Sequence, residues 1–331
     1  MCKYSRRSFM AHSAAAGLAA WQADRLLAAD APAAAAPSAK GVDMTIAKWS
    51  GPAVKGATDP EIPKIATKLV EQAIEGLGGM KRFVKKGDVV WVKPNIGWDR
   101  VPELAGNTNP EVVAALIKMC LDAGAKTVKI GDNPVHAAAK TYVSSGIEAV
   151  AKQLGAEVVY LDKNRYKDTE LKGGERLKSL LLYPDILDCD FVINVPVAKH
   201  HRLSGATLVM KNYMGVMDNR QPLHQDFASC LTDLTRHMMQ HYKGRPPLNV
   251  LDAVRIVVTN GPSGGKPDDV AVRTTVAAST DPVALDALGI ELLGKDPAEM
   301  KKATSIVKYA ADSGLGKAKY RELALKELAV G

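Results

Sequence analysis

The sequence predicts an α/β protein with a mostly parallel, doubly wound sheet and helices on both of its faces. From residue 44 onward, short runs rich in Val and Ile alternate with longer amphipathic stretches. One run, Phe191–Val197, is almost continuously apolar, which is typical of a strand buried on both faces of a parallel sheet. Strands that alternate with helices in this way form βαβ units with right-handed crossovers.

The first half of the predicted domain alternates regularly between strand and helix. Asn109 and Pro110 supply a cap and a first-turn proline, so a helix is expected to begin there and to run to about Ala123. The polar stretch Lys163–Gly174 predicts an inserted loop or hairpin. The other expected elements are strands at Met44–Trp49, Val89–Lys93, Thr127–Ile130 and Glu157–Leu161, and helices at Pro60–Gly76 and up to about Leu154.

The pattern is less regular in the second half, where residues 205–226 mix polar and apolar positions. We therefore expect one domain over residues 40–331, with room for an inserted lid at about 200–245. The remaining expected elements are a helix at Ala228–Tyr242, strands at Leu248–Leu251, Arg255–Thr259 and Arg273–Ser279, a turn-rich loop at Gly261–Asp269, a helix from Pro282 to Leu293 capped by Asp281, and a helix in the last thirty residues.

Residues 1–39 are interpreted as a twin-arginine export signal followed by an Ala/Pro linker. Residues 5–10 read SRRSFM, and a mild Ala-rich stretch follows. That stretch is too short and too weakly hydrophobic to span a bilayer. We therefore expect export by the twin-arginine machinery, cleavage between Ala28 and Ala39, and a periplasmic mature protein without a membrane span. The alternative is a disordered Ala/Pro tail in which two arginines adjoin by chance.

Charge and cysteine content exclude several classes of protein. The net charge of +8 is spread along the chain, and aromatic residues make up only 5% of it. A nucleic-acid-binding protein would cluster its basic residues and interleave aromatics, so an anionic small molecule is the expected partner instead. Cys120, Cys189 and Cys230 remain after the leader and have no C-x-x-C spacing, which excludes a ferredoxin-type cysteine motif.

Three patterns that resemble known catalytic or phosphate-binding motifs lack the residues those motifs need. The glycine-rich loop 261–266 is one residue short of a phosphate-binding loop and is followed by Pro267 instead of Ser or Thr. His237 and His241 have the spacing of a zinc pair, but Met238 stands where a zinc peptidase needs glutamate. Ser204 lacks the glycine-flanked elbow of a serine hydrolase.

A set of ordered motifs resembles the domain of unknown function 362 family over roughly Val89 to Gly294. The motifs are WVKPNIG at 91–97, GD at 131–132, VPVAKHHRLSGATLVMKNYMG at 195–215, LH at 223–224, LNVLDAV at 248–254, GPSGG at 261–265 and STDPVALDALG at 279–289. The resemblance implies no particular activity. Many members resemble iron–sulfur proteins because they carry an added ferredoxin-like cysteine module, and that module is missing here.

Polar side chains follow the predicted strands at their carboxyl ends, where a doubly wound sheet binds its ligands. These residues are Lys93, Asn95, Asp132, Asn133, Asp162, Lys199, His201 and Asp252. A second polar group, Lys211 and Asn212, lies in the same family motif as Lys199 and His201. We therefore expect these four residues to form the centre of the site.

Two ligand chemistries remain open for this site. In the first, Lys93, Lys199 and Lys211 converge on a carboxylate or phosphate group. In the second, His201 and His224 bind a divalent metal together with an aspartate. The candidate aspartates are Asp226, Asp132 and Asp252. Asn95 and Asn212 orient the ligand in either case.

Two functions also remain open. The protein is either an enzyme or a non-catalytic periplasmic factor that binds a ligand or assists the maturation of a redox complex. In an enzyme, His201, Lys199 and His224 are the expected catalytic residues, because an acid or base with a tuned pKa must lie beside the substrate cavity. A binding protein needs only the cations. The residues identify no cofactor, and a divalent metal is the one candidate.

Overall fold

The described part of the chain forms a ten-stranded mixed sheet with helices on both faces. The structure is a computed structural model that describes residues 41–242, 244–295 and 297–331. The predicted α/β class, with a mostly parallel sheet, is confirmed. The leader and its arginine pair lie outside the described residues.

The described residues form twelve strands and nine α-helices. The strands are β1 (Met44–Trp49), β2 (Val89–Pro94), β3 (Thr127–Ile130), β4 (Glu157–Val158), β5 (Lys167–Glu170), β6 (Ser179–Leu182), β7 (Phe191–Val195), β8 (Val197–His201), β9 (Gly205–Thr207), β10 (Leu248–Val257), β11 (Val270–Ser279) and β12 (Leu325–Val330). The helices are α1 (Ile62–Gly76), α2 (Pro110–Asp122), α3 (Ala138–Ser144), α4 (Ile147–Gln153), α5 (Pro184–Leu187), α6 (Val209–Asn212), α7 (Phe227–His241), α8 (Pro282–Leu293) and α9 (Pro297–Asp312).

The order in which the chain adds strands reverses between β2 and β7, and this reversal determines where a ligand can bind. The strand order is β12-β1-β11-β10-β7-β2-β3-β4, and β8 pairs with β10 and carries β9. From β2 the chain adds β3 and β4 on one side and later returns to place β7 on the other side, all in parallel. Within the ten-stranded sheet of the described chain, only β11, antiparallel to β1 and β10, and β9, antiparallel to β8, break the parallel pattern. The strands β5 and β6 form a separate antiparallel hairpin. Open α/β sheets bind ligands at such a switch point.

Alternate side chains of the central strands enter two separate cores. Val90 and Val92 of β2 pack in the cluster that contains the apolar face of α1 and α2. Trp91, between them, packs in the cluster on the opposite face with residues of α7 and α9. Because successive strand residues point to opposite faces, a strand covered on both sides must be apolar throughout.

The predicted strand Phe191–Val197 is in fact two strands. Proline has no backbone N–H, and β7 ends at Val195, directly before Pro196. The chain then continues as β8 beside β10, where the Pro196 carbonyl accepts from the N–H of Asp252 at 2.9 Å. Lys199 and His201 therefore lie within a strand, and the expectation that they follow the end of one was wrong.

Four other element boundaries differ from the prediction. The helix expected up to Leu154 is divided into α3 and α4 at Gly146, whose φ of 74° is left-handed. β4 ends at Val158 instead of Leu161. β10 is one strand with a bulge between Ala253 and Arg255 where two strands were expected. The final stretch is helical only to Asp312, and the chain then pairs β12 with β1.

Residues 200–242 contribute much of one core layer. Met210, Tyr213, Leu231 and Leu234 are fully buried or nearly so, and they pack in the same cluster as Trp91. Motion of some part of this segment as a lid stays a prediction. No helix in the described ranges is both long and apolar enough to cross a membrane.

Replacing Val195 with Asp should unfold the protein readily. Val195 on β7 is 0% exposed and packs in the core below α1 and α2. A carboxylate placed there has no partner, so we expect a loss of roughly 3 kcal/mol or more in the free energy of unfolding. Lys172→Ala, at an exposed position, is the control and should change stability little. Equal urea-unfolding midpoints for the two variants would contradict a central role for β7.

Candidate functional site

A cavity of about 320 Å³ opens at the carboxyl ends of β2, β3 and β8, beside the switch point of the sheet. Its volume is that of a small-molecule site. Its polar and aromatic lining consists of Asn95, Trp98, Asp132, Asn133, Lys199, His201, Thr207, Lys211, Asn212, Arg220 and His224, and its other lining residues are Gly97, Val135, Met214, Gly215 and Pro262. Eight of the polar residues predicted for the site are therefore brought together here: Asn95, Asp132, Asn133, Lys199, His201, Lys211, Asn212 and His224.

A buried ion pair forms the floor of the cavity. Lys93 at the end of β2 is 0% exposed, and its Nζ donates to Asp132 Oδ1, just after β3, at 2.8 Å. Asp132 Oδ2 accepts from the backbone N–H of Ile96 at 2.7 Å. Burial lowers the pKa of Lys93, and the adjacent Asp132 carboxylate opposes that shift. The pair joins two strand ends, and Lys93 is satisfied without any ligand.

Gly215 covers this ion pair at contact distance. A Cβ atom on Gly215 would overlap Asp132 Oδ1 and lie 2.7 Å from Lys93 Nζ. The Gly215 carbonyl also accepts from the N–H of Asn133 at 2.9 Å. The segment after α6 can pack onto the strand ends only because residue 215 has no side chain.

A chain of amides runs from the half-buried Asn95 at the cavity into the buried interior of the sheet. Lys199 Nζ donates to Asn95 Oδ1 at 2.7 Å, and Asn95 Nδ2 donates to Asn212 Oδ1 at 3.0 Å. Asn212 Nδ2 in turn donates to Asn194 Oδ1 at 2.8 Å, and Asn194 Nδ2 donates to Asn249 Oδ1 at 3.1 Å. These bonds define the orientation of each amide and hold Lys199 in one place.

Lys199 projects from β8 into the cavity wall and is 1% exposed. Besides Asn95, its Nζ donates to the carbonyl of Gly106 at 2.7 Å. Burial, followed by the positive charge of Lys211, lowers the pKa of Lys199 to about 7. This lysine is therefore an amine that can gain or lose a proton near neutral pH.

Lys211 and Arg220 are the other cations of the cavity. The Lys211 Nζ lies 5.4 Å from the centroid of the Phe227 ring and has neither an acidic partner nor a hydrogen-bond acceptor in the described chain. Burial and the nearby Arg220 lower the pKa of Lys211 to about 8. Arg220 donates through Nε to the carbonyl of Met214 at 3.3 Å and through Nη2 to the carbonyl of Asn133. No acidic side chain in the described ranges pairs with it.

The hydrogen bonds of His201 determine its tautomer. Its Nδ1 accepts from the backbone N–H groups of Leu203 at 3.1 Å and Ser204 at 3.3 Å. Burial, together with the charges of Lys211 and Lys199, lowers the pKa of this 7% exposed side chain to about 2. The ring is neutral, Nδ1 is an acceptor, and the proton therefore lies on Nε2, which is left as a donor to the cavity.

His224 lies at the exposed rim of the cavity, with its ring edge-on to Phe227 at 5.2 Å between centroids. Burial and the charges of Lys211 and Arg220 lower its pKa. The residue is placed to contact a ligand that has entered the cavity.

The predicted metal set is not assembled. Asp226 caps α7, where its carboxylate accepts from Ser229 N at 3.2 Å and Ser229 Oγ at 2.6 Å. Asp252 lies in the middle of β10, fully buried, and accepts from Asn109 N at 2.8 Å. Across the described ranges no three His, Cys, Asp or Glu side chains lie close enough to share an ion. Asp162, another predicted strand-end residue, caps a short turn outside the cavity lining.

The comparison with known proteins identifies the family. Residues 90–291 match the family described as Domain of unknown function (DUF362). The chain belongs to this family. The matched range contains every residue that lines the cavity, so the cavity lies within the family domain.

Two individual proteins are similar to this member of the DUF362 family. A thylakoid-associated protein of Synechocystis sp. is 31% identical over 229 residues, which is 68% of this chain and 69% of that protein. The lactate racemase apoprotein from Thermoanaerobacterium thermosaccharolyticum aligns with a TM-score of 0.42 at 12% identity over 76% of this chain. The alignment spans 57% of the racemase chain, and a likeness of this extent transfers no activity.

Sequence reasoning missed Arg220, Trp98, Thr207 and two buried asparagines. Arg220 stands alone in a polar stretch, and no local pattern separates it from a surface arginine. Asn194 carried a usable signal, because a single amide inside an apolar strand must find hydrogen-bond partners when it is buried. Asn249 carried the same signal within LNVLDAV.

Replacing Gly215 with Ala should destabilise the protein through the Lys93–Asp132 pair. The new methyl group overlaps the Asp132 carboxylate, so the segment must shift, at a cost of about 1–3 kcal/mol. Gly97→Ala is a matched control in the same cavity, because its Cβ would meet only Asn95 Oδ1, at an ordinary 3.5 Å. Urea unfolding measures both. A Gly215→Ala protein as stable as Gly97→Ala would contradict the close approach.

Proposed function

We propose that this DUF362 protein binds a small anionic molecule through a carboxylate or phosphate group in the cavity at the strand ends. The observation that carries the proposal is the charge of the lining. Lys199, Lys211 and Arg220 face one small space, and the single lining carboxylate, Asp132, is already paired with Lys93. Buried cations without counter-charges are costly, and an anionic ligand supplies the missing charge.

The hydrogen-bonding groups left over in the cavity are donors. Lys211 has no acceptor among the described residues, and His201 presents its Nε2–H. Arg220 uses Nε and Nη2 on carbonyls, which leaves Nη1 for another acceptor. Charge-assisted hydrogen bonds from lysine and arginine to carboxylate or phosphate are among the strongest that proteins form. A ligand rich in acceptors matches this set.

The donor set fits an anion better than a metal ion. A metal at His201 Nε2 would require the proton to move to Nδ1, where it would point at the two backbone N–H groups of Leu203 and Ser204. Ligating histidines instead donate their second nitrogen to an acceptor. His201 is therefore proposed as a hydrogen-bond donor to the anion, and Lys199, Lys211 and Arg220 as its counter-charges.

Catalysis is proposed ahead of simple binding because two of the amines titrate near neutral pH. The pKa values of Lys199 and Lys211, about 7 and about 8, lie in the range of an effective acid or base. A binding or maturation factor would need only fixed positive charge, which unperturbed lysines or arginines supply.

We also propose that the protein is exported by the twin-arginine route to the periplasm. The support is the segment SRRSFM at 5–10 and the mild Ala-rich stretch after it. Export in the folded state would preserve any ligand acquired before transport.

Removing the positive charge of Lys211 should weaken anion binding. For Lys211→Gln we expect a loss of about 1–3 kcal/mol in the binding free energy of inorganic phosphate or succinate, the range for a charge-assisted hydrogen bond. Isothermal titration calorimetry on the mature chain measures it. Lys172→Gln, outside the cavity lining, is the control and should bind like the wild type.

The same titration with succinate, whose carboxyl groups stay ionised from about pH 6.5 upward, repeated over pH tests the charge of the amines directly. The protonated amines bind the anion, so affinity should be highest below pH 7 and should fall as pH rises through about 7 to 8, where Lys199 and Lys211 lose their protons. An affinity that is independent of pH, or equal in Lys211→Gln and wild type, would refute anion binding by these amines.

Replacing both Arg6 and Arg7 with lysine should retain the precursor in the cytoplasm, because the paired guanidinium groups are the expected recognition element. Cell fractionation followed by immunoblotting measures the distribution. Arg25→Lys, in the same leader but outside the pair, should be exported normally. Mature double variant in the periplasm would overturn the assignment.

A further inference from the structure

The backbone of Lys211 is fixed from two sides. Asp286 of α8 accepts from the N–H of Val209 at 2.6 Å and of Met210 at 3.4 Å, which anchors the start of α6. Asn212, the next residue, donates to Asn194 at 2.8 Å and to the Lys93 carbonyl at 3.3 Å. A four-residue helix held at both ends places the Lys211 side chain with little freedom.

The amine at the end of that side chain has an unusual environment. It lies over the face of Phe227, borders the cavity, and has no acceptor in the described chain. Arg220 and Lys199 are cationic neighbours, and burial followed by the charge of Lys211 lowers the pKa values of His201 and His224. Burial, followed by the positive charge of Arg220, favours the uncharged amine, which is the nucleophilic form.

Asp286 is the carboxyl group on the other side of Lys211, across a void of about 10 Å³. Its oxygens accept the two backbone N–H groups of α6, and burial raises its pKa to about 8. It therefore holds the helix that carries Lys211 and does not form an ion pair with the amine.

Lys199 differs from Lys211 in a way that separates their roles. Its Nζ is held by two acceptors, Asn95 Oδ1 and the Gly106 carbonyl, each at 2.7 Å. Two acceptors hold the Lys199 amine in one orientation, and with a pKa of about 7 it is partly protonated at neutral pH, so Lys199 is suited to hold an anion and to donate a proton. Lys211 has no such bonds and is suited to attack an electrophile.

We propose that Lys211 is a nucleophile that forms a Schiff base with the carbonyl carbon of a small oxo-carboxylate. The carboxylate is held by Lys199, Arg220 and the Nε2–H of His201. This inference rests on the proposed function, because the same cations that bind the anion bring the carbonyl next to Lys211. A cavity of about 320 Å³ limits the substrate to a small acid.

The reaction balances with groups that line the cavity. The uncharged Lys211 amine donates its electron pair to the carbonyl carbon, the C–N bond forms, and the C=O electron pair moves to oxygen, which takes up an amine proton. The resulting hydroxyl group takes the proton of the Lys199 ammonium and leaves as water when the C–O bond breaks. The product is a protonated imine on Lys211, and Lys199 is left as the free amine.

Trapping of the imine tests the proposal. The full mature chain is incubated with pyruvate and sodium borohydride, which reduces an imine to a stable secondary amine, and the labelled residue is located by peptide mass spectrometry. We expect one reduced pyruvate adduct, on Lys211. Propionate, a carboxylate of similar size without a carbonyl, should give none.

Matched variants separate nucleophile from counter-charge. Lys211→Arg keeps the positive charge but has no nucleophilic amine, so it should still bind propionate measurably and lose the adduct completely. Lys172→Arg, outside the cavity lining, should form the adduct as the wild type does. Adduct yield should pass through a maximum between about pH 7 and pH 8, because the reaction needs the free amine of Lys211 and the protonated amine of Lys199.

The outcomes distinguish the two proposals. Propionate binding without an adduct on Lys211, or labelling spread over many lysines, would overturn the Schiff-base proposal and leave anion binding intact. A wild-type protein that binds neither propionate nor phosphate would overturn anion binding itself. An adduct on Lys199 that persists in Lys211→Arg would reverse the roles assigned to the two amines.

Discussion

The Lys93–Asp132 ion pair is the interaction on which the site depends. It is buried and joins the ends of two parallel strands. The Asp132 carboxylate accepts a hydrogen bond from the backbone N–H of Ile96, and Gly215 packs closely against the pair. Loss of either partner would leave an uncompensated charge below the cavity, which costs far more than loss of a surface pair. The pair neutralises Asp132, and the positive charge of the other cations is thereby left for a ligand.

A chain of four amides, three of them buried, extends this arrangement through the sheet. Asn95, Asn212, Asn194 and Asn249 each bond to the next, and Lys199 is attached to the first of them. Polar networks of this kind are stable only when every member is satisfied, so they require one geometry. The amines of the cavity are therefore held in place before a ligand arrives, which reduces the entropy lost on binding.

The electrostatics of the cavity follow from burial more than from unusual residues. Lysine is ordinary on a surface, but Lys199 and Lys211 share a poorly solvated space with Arg220 and have lowered pKa values. Burial, followed by the same charges, lowers the pKa of His201, and two backbone N–H groups donate to its Nδ1. The cavity consequently offers positive charge, hydrogen-bond donors and a titratable amine, but few acceptors, and this combination underlies both the anion and the Schiff-base proposals.

The sequence by itself determined the α/β class and most element boundaries, because hydrophobic periodicity, caps and turn residues are local signals. It predicted a site at the strand ends, but Lys199 and His201 lie within β8. It also led to Lys199, His201, Lys211 and Asn212. Only the tertiary structure decided that Asp226 and Asp252 are occupied elsewhere and that Arg220 completes the cavity. These facts depend on hydrogen bonds between residues far apart in the chain, such as Asp252 with Asn109. Burial, which lowers the pKa values of the amines, likewise exists only once the layers have packed.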